Sequence, residues 1–300
     1  MPELPDVTVY VEALATRVVG RALERIRLAS PFLLRTVDPK PDTFAGRPVR
    51  GVRRLRKRIV LDFDDELFLV VHLMIAGRLR WRSPGAAIPK RLGLAAFDFA
   101  NGALLLTEAS KKKRAALHLV RGEIALADLA PAGIEVDGAT LADFRAAIGR
   151  ERHTLKRTLT DPRILSGIGN AYSDEILHAA RLSPVRMNDQ LTDDEIARLF
   201  DAARETLRTW TDRLRADAGG DFLEKVTAFR AGMAVHGRHR EPCPVCATPI
   251  QRIARAENEA NYCPTCQTGG RLLADRALSR LLHADWPRTA EELEERRSRS

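Results

Sequence analysis

Three hundred residues carry 45% hydrophobic and 30% charged side chains, with a formal net charge of +9 at pH 7. That length suits two domains with packed cores, and the composition excludes a disordered, collagen-like or disulfide-dense chain. No run of eighteen apolar residues exists and no basic-then-apolar leader stands before residue 20, so nothing marks the chain for a membrane or for export. The positive charge favours a polyanionic partner, although an arginine-rich solvated surface reaches the same value.

The chain opens Met1-Pro2-Glu3-Leu4-Pro5-Asp6. A small second residue favours removal of Met1, which leaves Pro2 with a free secondary amine. A chain-end amine, with an unperturbed pKa of about 8, is partly neutral near pH 7 and can attack electrophilic carbon. Glu3 supplies a carboxyl next to it for the accompanying proton transfer. Val7, Val11, Leu14 and Val18 then form a helical stripe over residues 5–19, ending near Gly20.

From about 23 to 130 the pattern changes to short apolar runs, which predict a β-sandwich or barrel. Ile59–Leu61 and Leu67–Val71 flank the acidic turn Asp64-Asp65, and Phe97–Phe99 and Leu104–Leu106 flank Asn101-Gly102, a hairpin signal. Around Ala130-Pro131 strand signals stop, and helices are predicted to about 217. Gly167-Ile168-Gly169-Asn170 precedes one of them; such a turn either cradles a phosphate on the next helix's amides or simply joins two helices. Thr192–Glu195 has the form of a capping box, followed by Ile196, Leu199, Phe200, Ala203, Leu207 and Trp210 on one face. Residues 218–241 read as loop.

All four cysteines fall within 24 residues, as Cys243-Pro-Val-Cys246 and Cys263-Pro-Thr-Cys266. Two such knuckles close a tetrahedral Zn²⁺ site with no open position, hence a structural one; two disulfides are the competing reading, disfavoured by the lack of an export signal. Thr248-Pro249-Ile250 and Asn261-Tyr262 read as hairpin arms between the knuckles. The tail is predicted helical from 271 through Leu273, Ala277, Leu278, Leu281 and Leu282 to Pro287, with a second capping box from Thr289 to Glu292.

Five separated segments together resemble the formamidopyrimidine-DNA glycosylase (Fpg/Nei) family over residues 2–268. They are Pro2–Pro5, Arg54–Lys57, His72-Leu73 with Gly77–Leu79, Leu155-Lys156 through Asp161 to Gly167–Glu175, and Val235–Arg238 joined to the cysteine module. The resemblance implies an α+β protein: residues 1–132 a catalytic β-sandwich with an N-terminal helix, 133–240 a helix–two-turn–helix DNA-binding domain, 241–270 a zinc-finger hairpin. Residues 271–300 would form a helical tail. By the same resemblance, Pro2 is the nucleophile that forms a Schiff base with sugar C1′, Glu3 the general acid/base, and Lys57 a helper of β-elimination that touches phosphate. Asn170 and Arg152 match phosphate-contacting positions, and Lys156 is implied as a further DNA-binding residue. One structural zinc on Cys243, Cys246, Cys263 and Cys266 is implied, as are damaged double-stranded DNA as partner, a monomeric state and a cytoplasmic, nucleoid-associated place if the source is bacterial.

The chain departs from the family where damage is read. Ser110-Lys111-Lys112-Lys113-Arg114-Ala115-Ala116 stands where an Arg and a Phe wedge are usual, so Lys111, Lys112 and Lys113 offer charge without an aromatic plug. Ile75, preceded by Met74, replaces the methionine wedge. Asn258 stands in place of the zinc-hairpin arginine that assists δ-elimination, which predicts a bifunctional glycosylase/lyase stopping mainly after β-elimination. Two other readings compete: a non-catalytic damaged-DNA-binding protein on the same fold, against which Pro2, Glu3 and Lys57 argue, and a zinc-ribbon RNA-associated protein, which leaves the start of the chain unexplained.

Overall fold

In the computed structural model, residues 1–223, 226–227, 229–255, 258–273, 287–289 and 292–293 are described. Among them no helix is long and apolar enough to cross a membrane. The chain divides into two compact units. The first comprises Met1–Pro131 with Arg208–Ala228, and the second Ala132–Leu207 with the described residues from Phe229 onward.

The first unit begins with helix α1 (Leu4–Val18), whose Val7, Tyr10, Leu14 and Val18 are fully buried. The strands follow: β1 (Ala22–Leu23), β2 (Arg25–Leu28), β3 (Arg47–Pro48), β4 (Gly51–Leu55), β5 (Arg58–Phe63), β6 (Leu67–His72), β7 (Gly77–Arg82), β8 (Gly93–Phe99), β9 (Gly102–Glu108) and β10 (Ala116–Arg121). After them comes the short helix α2 (Glu123–Ala127). Two antiparallel four-stranded sheets, ordered β10-β6-β5-β4 and β2-β8-β9-β7, form the sandwich, and β1 pairs with β3. Period-two alternation builds the core, because Ile59, Leu61, Leu69, Val71, Phe97, Leu104 and Leu106 all point into one buried cluster. Leu214, Phe222, Leu223 and Val226 join that cluster. This is why the last eleven residues of a 26-residue helix, from Arg208, group with the sandwich rather than with the helices that precede it.

The Asp64-Asp65 hairpin forms with Phe63 opposite Leu67. At the second hairpin the register differs from the sequence reading. Phe99 pairs with Gly102, so Ala100 and Asn101 make the turn and Gly102 opens β9. Its side-chain hydrogen serves packing instead, since a Cβ there would lie 2.5 Å from the Trp81 ring.

The second unit holds β11 (Ile134–Glu135), α3 (Leu141–Ile148), α4 (Leu155–Thr160), β12 (Leu165–Ser166), α5 (Asn170–Ala179) and the first part of α6 (Asp193–Ala218). The capping box at the start of α6 is formed: Thr192 N–H donates to Glu195 Oε2 (2.9 Å) and Glu195 N–H to Thr192 Oγ1 (3.3 Å). Ile196, Leu199, Phe200, Ala203, Leu207 and Trp210 are buried, as their spacing requires. Strands β13 (Gln251–Arg255) and β14 (Asn258–Tyr262) form the cysteine module's hairpin, and α7 (Pro264–Thr268) follows. The first arm therefore starts at Gln251. Thr248–Ile250 instead closes the first knuckle, where Cys243 N–H donates to Thr248 O (3.0 Å). Of the predicted tail, Ala277, Leu278, Leu281 and Leu282 lie outside the described residues; at its second capping box Glu292 N–H donates to Thr289 Oγ1 (3.2 Å).

Candidate active site and zinc centre

Pro2 and Glu3 are buried and lead directly into α1. Glu3 is the N-cap in extended conformation, and its N–H donates to Asp6 Oδ2 (2.8 Å), which satisfies one amide that the helix start leaves without an intrahelical partner. The helix that carries these residues is held on its far side by Arg215, which reaches Glu12 at 2.7 Å, and by Tyr10 against Phe222 with ring centres 5.4 Å apart. The terminus is thus mounted on a fixed element.

Lys57 enters from the two-residue turn between β4 and β5, where Arg56 takes a left-handed φ of 60°. For an L residue this costs roughly 1–2 kcal/mol, offset here by the tight strand pairing of Leu55 with Arg58. Burial holds the Lys57 ammonium below its usual range, and Glu3 opposes that shift. The Met1 amine is also lowered by burial; Glu3 opposes, Arg78 and Lys57 add to it, and Asp6 opposes. Two amines and one carboxyl therefore share a partly dry environment. Such desolvation favours the neutral, nucleophilic form of an amine, while the Glu3 carboxyl accepts the backbone N–H of Asp6. Arg78 is fixed by donating from Nε to Val226 O (2.7 Å) and from Nη1 to Gly77 O (2.7 Å).

His72 ends β6, directly opposite Arg58, and burial with Arg58, Lys57 and His118 lowers its pKa to about 4. It is neutral at physiological pH. Sequence reasoning used it only as part of a motif; its position one residue from the Lys57 turn in the strand pairing is a tertiary fact.

Ile75 is 47% exposed at the tip of the Leu73–Ala76 turn, in which Met74 has φ 52°. Gly77 closes that turn by donating its N–H to Leu73 O (2.9 Å), and a Cβ on it would sit 2.3 Å from the same oxygen. The lysine loop is shaped by a residue the sequence did not single out. The buried Glu108 carboxylate accepts the N–H groups of Arg114 (2.9 Å) and Ala115 (3.1 Å), and Lys113 Nζ donates to Glu108 O. Lys111 and Lys112 remain exposed.

In the second unit, Gly167 (φ 94°) and Gly169 bring the chain to Asn170, the first residue of α5. Lys156 supports this loop from behind: its Nζ donates to Asn170 O (2.7 Å) and to Asp174 Oδ1 (2.6 Å). Asp174 Oδ2 also accepts from His236 Nδ1 (2.7 Å) and Asn261 Nδ2 (3.3 Å). Next to it, Glu175 accepts the amides of Ala234, Val235 and His236 at 2.7–2.9 Å. Arg152 is exposed and pairs with Asp189 (2.6 Å).

The four cysteines are free thiols whose Sγ atoms all lie within 4.8 Å of one another. Zn–S bonds of about 2.3 Å in a tetrahedron require sulfur separations of about 3.8 Å; the closest pairs here span 3.3–3.9 Å. The Val245 and Cys266 amides each donate to a sulfur at 3.4 Å, and His178 Nε2 lies 3.4 Å from Cys243 Sγ. These donors offset thiolate charge, so the donor set fits Zn²⁺. Asn258 lies at the hairpin tip, where it pairs with Arg255, and its side chain falls outside what is described.

Three family models match the chain in order: the formamidopyrimidine-DNA glycosylase N-terminal domain over residues 1–124, the H2TH domain of the same enzymes over 130–215, and the zinc finger found in FPG and IleRS over 240–269. A formamidopyrimidine-DNA glycosylase of Heliobacterium modesticaldum is 32% identical over 278 residues, covering 89% of this chain and all of that protein. An uncharacterized formamidopyrimidine-DNA glycosylase-like protein of Mycobacterium tuberculosis is 39% identical over 155 residues, 51% of this chain and 94% of its own length. Among solved structures, Lactococcus lactis Fpg in complex with DNA containing an abasic site superposes with a TM-score of 0.79 at 25% identity, covering 89% of this chain and 99% of that one. Complete coverage of a relative at this identity, with the zinc finger's four cysteines gathered in place, establishes that the chain belongs to the formamidopyrimidine-DNA glycosylase family and is a DNA glycosylase of base excision repair.

Proposed function

We propose that this chain is a bifunctional glycosylase/lyase that removes a damaged base from duplex DNA through its amino-terminal proline. The observation that carries the reading is the burial of Pro2 and Glu3 together at the start of α1, with Glu3 acting on the buried Lys57 ammonium. With Met1 removed, the lone pair of the Pro2 nitrogen attacks C1′, the bond to the base breaks, and the base departs with a proton. Glu3 protonates the ring oxygen as the sugar opens, leaving an iminium between Pro2 and C1′. That cation acidifies the 2′ hydrogen; its removal drives out the 3′ phosphate, and Lys57 steadies the phosphate's charge.

Reaching C1′ requires turning the nucleotide out of the stack. Asn170 and Arg152 serve as backbone contacts, Lys156 holds Asn170 in place, and Lys111, Lys112 and Lys113 grip phosphate without demanding an intact stack. Ile75 fills the gap as an apolar wedge. The protein works as a monomer. Structural neighbours from Lactococcus lactis are complexes with DNA containing an abasic site, Fapy-dG or an oxidized pyrimidine, which supports damaged DNA as the partner here.

Borohydride reduction on an abasic-site duplex tests the chemistry. Protein verified to begin at Pro2 should yield a covalent adduct that peptide mapping places on Pro2, and protein retaining Met1 should not. No adduct from the trimmed protein ends the lyase reading.

A further inference from the structure

The outer face of the β10-β6-β5-β4 sheet is segregated by charge. Its row on β5 is Arg58, Val60 and Asp62, since Ile59, Leu61 and Phe63 point into the sandwich core. The middle is apolar, with Val60, Phe68, Val70 and Val120 packed around Leu126. At one end Arg53 pairs with Asp62 (3.0 Å) and Glu123 (3.4 Å) and is neutralised. At the other end Arg58 stands opposite His72, and His118 lies two residues along β10 from the Ala116 that faces His72. Arg35 is brought beside His118 by its N–H, which donates to Leu117 O (2.8 Å).

Among the described residues, no carboxylate ranks with the charges that act on His72 or His118. The charged neighbours that act on His72 are Arg58, Lys57 and His118, and those acting on His118 are Arg58 and Arg35. The Arg58 Nε is buried and has no hydrogen-bond partner among the described residues. A buried guanidinium N–H left unpartnered is a net cost to folding, and a guanidinium with no carboxylate beside it favours an anion at this face. A structural role would place a carboxylate or carbonyl there, as Asp62 serves Arg53.

We propose that Arg58 and His118, with Arg35 at the rim, form a phosphodiester-binding subsite on this outer face, which holds a DNA backbone phosphate outside the catalytic pocket. The inference rests on the DNA glycosylase reading. Arg58 follows Lys57 directly in the chain, so the subsite begins one strand residue, about 3.3 Å, from the pocket edge and suits a neighbouring phosphate of the bound strand. The arginines supply charge; neutral His118 supplies a ring N–H or lone pair and no counterion.

Equilibrium binding of the full-length, zinc-loaded protein to a duplex with a non-reactive abasic analogue, followed across a salt series, separates these contributions. Each phosphate neutralised adds about 0.9 to the slope of log K against log salt. Arg58→Gln and Arg35→Gln should each flatten the slope by up to about that amount and weaken binding by about threefold to tenfold, while Arg58→Lys keeps the slope. His118→Gln should weaken binding at constant slope. Arg53→Gln, at the neutralised end, should change neither. Arg35 is exposed, so its variant decides the matter on folded protein if Arg58→Gln melts early. Unchanged slopes in both arginine variants, or an equal loss in Arg53→Gln, overturn the proposal. Wild-type protein that binds with the steep slope but never traps with borohydride would defeat the lyase reading and leave this subsite standing.

Discussion

Replacing Asp174 by asparagine tests whether Lys156 is a structural strut or a free DNA contact. The Asp174 side chain is fully buried and its two oxygens serve three donors: Lys156 Nζ (2.6 Å), His236 Nδ1 (2.7 Å) and Asn261 Nδ2 (3.3 Å). Asparagine keeps one acceptor and turns an amide toward the remaining donors. It strands the Lys156 ammonium, of which only 16% is exposed, beside a neutral group. Removing one partner of a buried ion pair costs about 3–5 kcal/mol. For a unit of this size that corresponds to a fall in melting temperature on the order of 10 °C. Lys156→Met removes the stranded charge, so the double variant should recover about 2 kcal/mol relative to the sum of the singles. Calorimetry of the zinc-loaded protein reads both quantities. A loss below about 1 kcal/mol for Asp174→Asn, or strict additivity, would refute the argument that this network holds Asn170 from behind.

Glu3→Gln should slow excision of a damaged base by about 10²–10⁴-fold while nicking of a preformed abasic site survives, as incision assays on the two substrates would show; an equal loss of DNA affinity would make Glu3 structural instead. The purified chain should carry one zinc on Cys243, Cys246, Cys263 and Cys266, and chelation should loosen the hairpin module and weaken DNA binding, since such sites supply on the order of 10 kcal/mol. Metal analysis without zinc in protein never exposed to chelator would remove the site. End-labelled abasic DNA should show mainly the sugar-derived 3′ end of β-elimination. Predominant 3′ phosphate would overturn the inference from Asn258, whereas gain of the second elimination in Asn258→Arg would support it.

Much of the candidate site was legible because its signals are local. Pro2 and Glu3 are adjacent, the C-x2-C pairs bring two thiolates together by spacing alone, and a Gly-x-Gly-Asn turn before a helix has few conformations open to it. The α6 cap and its apolar face followed from i, i+3 and i, i+4 geometry that no distant residue can alter. The Asp64-Asp65 hairpin and the hairpin signalled by Asn101-Gly102 followed for the same reason, while the room that Gly102 leaves for Trp81, a residue on another strand, was not legible.

By itself, then, the sequence determined where helices begin, where strands reverse and which thiols meet, since each depends on neighbours a few positions apart. The tertiary structure alone decided the rest. Lys156 meets an acid 18 residues away, Glu108 rather than the lysines sets the lysine loop, and Arg215 holds the helix that carries Glu3 from 203 residues away. The row of Arg58, His72 and His118 exists only once β5, β6 and β10 lie in register. Periodicity tells a side chain which face it occupies; only packing tells it which charges share that face and whether water remains to screen them.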